Sequence, residues 1–152
     1  MSESDFRFRL ERVRALRERK EEIAKQQLAH AMGRLMDSEQ RLREVEDRLA
    51  AAHDGQRGAA GSQERLSAED LIASQAFVER VEQQRRQGAH EVRRGEHDVA
   101  DRGAALSDAA KEHQMLERLK ERHRAAHLHE LARREGAMLD EIALDRFRRN
   151  VA

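Results

Sequence analysis

The chain has 152 residues with no Pro, Cys, Trp or Tyr, and Leu, Ile, Val and Phe make up only about a fifth of it, too little for a large globular core. Lys plus Arg number 30 and Asp plus Glu 30, so no net field attracts a polyanion, and the lack of cysteine excludes disulfides and thiol chemistry. Ala, Glu, Lys, Leu and Arg supply roughly three-fifths of the residues and the apolar minority is periodic, which predicts long helices rather than disorder.

The spacing predicts a first helix over 5–52. Leu10, Val13, Leu16 and Ile23 share one side, and the stripe then moves by one position to Leu28, Leu35, Leu42 and Leu49, a slip that changes local supercoiling. Ala24, Ala31, Ser38, Val45 and Ala52 fall between the leucines, the three-four alternation of a coiled-coil seam. Opposite charges at helical spacing, acid first, recur at Asp5 and Arg9, Glu21 and Lys25, Glu39 and Arg43, Glu44 and Arg48, and Glu130 and Arg134. Each such pair gives an exposed helix about 0.2 to 0.5 kcal/mol.

Gly55, Gly58 and Gly61 lower helix propensity in the segment after Ala52, so the turn is placed at 53–66. No Gly-Lys-Ser/Thr follows these glycines, which removes a phosphate-binding loop.

A second helix is predicted over 68–149. Ser67 and Asp70 form a capping box, with Leu66 and Leu71 as its hydrophobic staple. Leu71, Val78, Arg85, Val92, Val99, Leu106 and His113 repeat every seven residues, accompanied by Ser74, Val81, Gly88, Gly95, Arg102, Ala109 and Leu116. The predicted fold is all-α, a long two-helix antiparallel coiled coil, or α-hairpin, with a C-terminal helix overhang. Its core is Leu28, Leu35, Leu42, Leu49, Val78, Val92, Val99 and Leu106.

Folding the chain about the glycine segment sets Leu49 against Leu71, Leu42 against Val78, Leu35 against Arg85 and Leu28 against Val92. Gly88 and Gly95 either let leucines pack closely or loosen the second helix. Arg85 and Arg102, at seam positions, either fix register or extend to water. In this register the first helix runs out near residue 115, so 116–149 projects with Leu116, Leu119, Leu128, Leu131, Met138, Leu139 and Ile142 seeking a partner.

Catalysis finds little support. Glu21 with Glu22, and Glu44 with Glu46, sit on a predicted rod with no pocket to shift their titration. His123 and His127 lie one turn apart, but His129 faces away and completes no metal site. No enzyme activity, metal or other cofactor is expected. Arg118, Lys120, Arg122 and Arg124 are interleaved with Glu117 and Glu121, which argues against nucleic-acid binding. No apolar run reaches the roughly 20 residues of a membrane span and no signal peptide is visible, giving a cytoplasmic expectation without membrane insertion. Phe6 and Phe8 near one terminus and Phe147 near the other come together at the open end of a hairpin, either for end-on docking or to staple the helix.

Phe6-x-Phe8-x-Leu10-x-x-Val13, followed by Arg17, Glu21, Ala24, Leu28 and Ala29, resembles the start of the flagellar export protein FliJ family. Leu116-Glu117-x-Leu119-Lys120-Glu121, then Leu139-Asp140-Glu141-Ile142-Ala143 and Arg146-Phe147, is similar to the end of that family. The resemblance implies a non-enzymatic stalk and adaptor of the flagellar type III export apparatus, peripheral to the cytoplasmic face of the cell membrane. Its implied partners are the hexameric export ATPase FliI, the export gate protein FlhA and export chaperones. Carried over by position, Phe6, Phe8, Leu10, Val13, Leu139, Ile142 and Phe147 form the ATPase-facing end. Leu42, Leu49, Leu71, Ile72 and Phe77 form the gate-binding patch. The competing expectations are the equivalent stalk of a virulence-type secretion system and a homodimeric coiled-coil module whose overhang pairs with its own copy.

Overall fold

A computed structural model describes residues 6–61 and 67–151 of the chain. Two long helices, α1 (Glu11–Gly61) and α2 (Ala68–Val151), pack against each other as an antiparallel α-hairpin. No strand occurs among the described residues.

The helix limits differ from expectation at both ends of α1. The helix starts at Glu11, whose N–H donates to the Phe8 carbonyl at 3.1 Å, while Phe6 to Phe8 precede it as non-helical chain. Asp5, the expected start, lies outside the described residues. At the other end the glycine segment does not break the helix, and residues 53–61 continue α1. A Cβ at Gly55, Gly58 or Gly61 would meet nothing within 4 Å, so these glycines sit on open faces. Ala52, Gln56 and Ala59 continue the inward three-four spacing, and the Gln56 amide donates to the Ser74 hydroxyl at 3.1 Å. Each glycine costs about 1 kcal/mol relative to alanine, and contact with α2 offsets that cost. The remaining part of the expected turn, 62–66, lies outside the described residues, as does Leu66 of the staple.

The start of α2 matches its sequence signal. The Asp70 N–H donates to Ser67 Oγ at 3.1 Å and the Ser67 N–H donates to Asp70 Oδ2 at 3.3 Å, a reciprocal capping box.

Because α1 runs on to Gly61, the register of the pair changes. Leu42 lies against Gly88 and Leu35 against Gly95, in place of Val78 and Arg85. The same register sets Leu49 across from Val81 and Leu28 across from Arg102.

The chain divides into two compact units. In the first, Ile23–Leu106, the seam is aliphatic. Ala31, Val78 and Val81 are buried, and the heptad leucines Leu28, Leu35, Leu42 and Leu49 are half-buried with Val92, Val99 and Leu106. A Cβ on Gly95 would stand 3.1 Å from Leu35 Cδ1, and one on Gly88 3.3 Å from Leu42 Cδ1. Both glycines are therefore holes for leucine knobs rather than loose points. Arg102 reaches sideways, donating to Gln27 at 2.8 Å and Asp98 at 3.3 Å, so its stem lies in the seam and its charge at the rim.

The second unit comprises the N-terminal segment through Glu22 and α2 from Ser107. Its half-buried α1 positions are Glu11, Arg14, Arg17 and Glu21, again three and four apart. Leu10, Val13 and Leu16, expected to carry the stripe here, are exposed instead, and in the first unit Ile23 is exposed too. The phase slip is absent because ion pairs across the helices hold the polar positions inside.

Candidate docking surfaces

Arg14, Arg17 and Lys120, each paired with a glutamate of the facing helix, build the seam of the second unit together with a histidine. Arg14 donates to Glu117 at 2.5 Å, Arg17 to Glu112 at 2.5 Å, and Lys120 to Glu11 at 3.0 Å. Arg14 also binds Glu11 at 2.8 Å along its own helix. His113 places Nδ1 2.7 Å from Glu21 and Nε2 3.3 Å from Glu117, the latter without hydrogen-bond geometry. Arg14, first among its causes, holds the Glu117 carboxyl below the ordinary range and, together with Lys120, does the same for Glu11. The Arg14 guanidinium is correspondingly driven further from deprotonation by Glu11 and Glu117.

The N-terminal chain ahead of α1 folds back onto α2. The Phe8 ring meets His123 edge-on at 5.8 Å between centroids, and Phe6 meets His127 at 5.7 Å. His123 and His127 thus carry the phenylalanines on one helix turn of α2. Aromatic pairs of this kind contribute about 0.5 to 1.5 kcal/mol beyond simple burial.

The seven residues of the expected ATPase-facing end fall into three settings. Phe8 is only 8% exposed, and Phe6 is half-buried against α2. Leu10 and Val13 lie outside on the strap and first turn. Leu139, Ile142 and Phe147 lie on a stretch of α2, residues 132–150, in which every residue is exposed, at 65%, 46% and 66% respectively. The unpaired stretch is shorter than expected: Leu116 and Leu119 are half-buried, and pairing with the N-terminal chain persists to His127. The longer α1 moves the register, so more of α2 is covered.

In the first unit the five expected gate-facing residues also separate. Leu42 and Leu49 are seam residues, while Leu71, Ile72 and Phe77 are exposed. Leu71 is therefore no seam residue, although the heptad through Val78 predicts one. Leu71 and Ile72 border a cavity of about 750 Å³ between the end of α1 and the start of α2, floored by Gly55, Ala59 and Ala60. Small α1 residues leave the space that Leu71 and Ile72 overhang.

A model of the family described as flagellar FliJ protein matches residues 6–152. The chain belongs to the FliJ family. The match covers the N-terminal strap, both helices and the exposed stretch of α2. No curated protein and no solved structure matches the chain. Membership gives it a flagellar, export-related role within a family of non-enzymatic stalk and adaptor proteins. No described helix is long and apolar enough to cross a membrane.

Sequence reasoning missed the ionic seam. Arg14, Arg17 and Glu21 continue the Leu28 heptad backwards at three-four spacing, and that spacing was the available signal. The apolar residues beside them drew the stripe to the wrong face.

Proposed function

We propose that this chain is a non-enzymatic stalk and adaptor of the flagellar protein export apparatus, in which the second unit docks into the ring of the export ATPase FliI. The observation that carries this is the exposed stretch of α2, where Leu139, Ile142 and Phe147 find no cover among the described residues. Large apolar groups concentrated on one exposed helix are what a partner interface uses as anchors. Leu10 and Val13 add to this docking surface. Phe6 and Phe8 serve it indirectly by pinning the strap to His127 and His123. The stalk promotes ATPase activity by contacting one state of the ring more favourably than others.

The exposed Ile72 and Phe77, with Leu71 over its cavity, support contact with the export gate protein FlhA through the first unit. Export chaperones are the remaining proposed partners, and the proposed location is the cytoplasmic face of the cell membrane, held there by those partners.

Stimulation of the purified ATPase tests the docking proposal. Ile142→Ala with Phe147→Ala leaves helicity unchanged, because both side chains are exposed, and abolishes stimulation. Full stimulation by this variant would sink the proposal. Phe8→Ala weakens stimulation less and also frays the first turn of α1, seen as faster hydrogen exchange there.

A further inference from the structure

In the second unit the face of α1 turned away from α2 carries charge of one sign. Leu16 stands at its centre, with Arg12 and Val13 one turn before it and Arg19 and Lys20 one turn after, the three-four spacing of a single helix face. Val13 and Leu16 are 40% and 54% exposed, and the three cations around them are exposed too. Arg7 and Arg9, on the chain just ahead of α1, add two more exposed cations.

The acids of the same stretch are engaged elsewhere. Glu11 binds Arg14 and Lys120, and Glu18 stands 3.4 Å from Arg14. Arg14 thereby holds both acids toward its own side of the helix. Arg7, Arg9, Arg12, Arg19 and Lys20 have no ion-pair partner among the described residues. A chain with no net charge therefore presents, on this one face, cations with no acid among them.

Long cationic stems beside an aliphatic strip suit a plane of anionic headgroups, because the stems lie along the apolar surface while their charges reach phosphate. A protein partner needs an apolar core to bury, and two aliphatic side chains make a small one. A nucleic acid would take up the cations but leave Val13 and Leu16 in water. We propose that this face of α1 binds the surface of an anionic phospholipid membrane, with Arg12, Arg19 and Lys20 on the headgroup phosphates and Val13 and Leu16 at the boundary with the acyl chains. The contact is shallow and mainly electrostatic, and no segment crosses the bilayer. It shares Val13 with the ATPase contact proposed above but does not depend on it.

Co-sedimentation of the full chain with vesicles tests the contact without any other protein. Vesicles of phosphatidylcholine with roughly a quarter phosphatidylglycerol should bind the chain, less at about 0.5 M salt than at about 0.1 M, while phosphatidylcholine alone should not. Arg12→Glu with Arg19→Glu weakens binding about a hundredfold and Leu16→Gln about fivefold. Arg118→Glu with Arg122→Glu makes the same change of net charge at exposed positions of α2 and leaves binding within about twofold. Far-UV circular dichroism confirms that each variant keeps its helicity. The proposal is overturned by a chain that ignores the anionic vesicles, by equal binding to phosphatidylcholine, by indifference to the α1 charge reversals or to Leu16→Gln, or by an equal loss from the α2 reversals. No vesicle binding by the unaltered chain, with ATPase stimulation lost in Arg12→Glu with Arg19→Glu, would assign the face to an acidic protein surface instead. Vesicle binding that persists in Ile142→Ala with Phe147→Ala, together with full stimulation, overturns only the docking proposal.

Discussion

The two units apply one helix-pairing pattern with opposite chemistries. Between Ile23 and Leu106 the seam is leucine against glycine, alanine and valine, and its stability comes from removing apolar surface from water. In the other unit the equivalent α1 positions are Glu11, Arg14, Arg17 and Glu21, matched by Glu112, His113, Glu117 and Lys120. Ion pairs at partly exposed sites contribute about 0 to 1 kcal/mol each, so this unit is specified more than it is stabilised. Leu10, Val13, Leu16, Leu139, Ile142 and Phe147 of this unit are left outside. The first unit is held by apolar packing and the second by matched charges.

The largest break in this contrast comes from putting charge into the aliphatic seam. Leu35→Asp with Leu42→Asp buries two carboxylates against glycines, at a cost of at least about 3 kcal/mol, and thermal melts should show loss of the cooperative transition. Arg14→Ala and Glu117→Ala in the ionic seam should each leave the cooperative transition in place and lower its midpoint far less. Equal losses from both kinds of substitution would erase the distinction.

Acid acts next. Glu11 and Glu117 titrate below their ordinary value of 4.5 in the folded chain, so the folded state there holds fewer protons than the unfolded state. Their contribution is complete above pH 4.5 and is lost as the pH falls through the lowered folded values. Asp98, lowered first by Arg34 and then by Arg102, is the one such carboxylate among the described residues of the aliphatic unit, whose seam is largely apolar. Hydrogen exchange measured on lowering the pH should therefore open residues 113–120 before residues 88–95. Raising salt from about 0.1 M to about 1 M shortens screening from about 10 Å to about 3 Å and should produce the same order.

The smallest effects separate glycines that are holes from glycines that are not. Gly95→Ala drives a Cβ to 3.1 Å from Leu35 Cδ1, and the overpacking outweighs the gain in helix propensity, for a net loss of about 1 kcal/mol. Gly103→Ala meets nothing within 4 Å and should gain about 1 kcal/mol. Calorimetric midpoints moving the same way for both would mean that the close approach of α2 to Leu35 is not what keeps Gly95.

Both the hairpin and much of its seam were legible in the sequence. The heptad from Leu28 to Leu49, the α2 positions from Val78 to His113 and the capping box at Ser67 and Asp70 each report a local rule, and local rules survive without knowledge of the partner. The register was not legible. Three glycines predict a break, yet contact with α2 outweighs a few kcal/mol of propensity, α1 continues to Gly61, and every cross-helix pair moves with it. The residues expected to dock stand out in the sequence as apolar groups near the termini, but their different settings in the fold do not. Phe8, on the chain ahead of α1, is closed over by His123, whereas Phe147, within α2, is open to water.

The sequence by itself determined a helical hairpin of the FliJ family, because heptad spacing fixes which residues share a helix face and the terminal motifs fix the relatives. Only the tertiary structure decided which face of α1 turns inward before Leu28. Both the Leu10, Val13, Leu16 stripe and the Arg14, Arg17, Glu21 stripe have helical spacing. The choice between them is made by Glu112, His113, Glu117 and Lys120, which lie some hundred residues along the chain and take up the charges of α1 only once α2 has folded back against it.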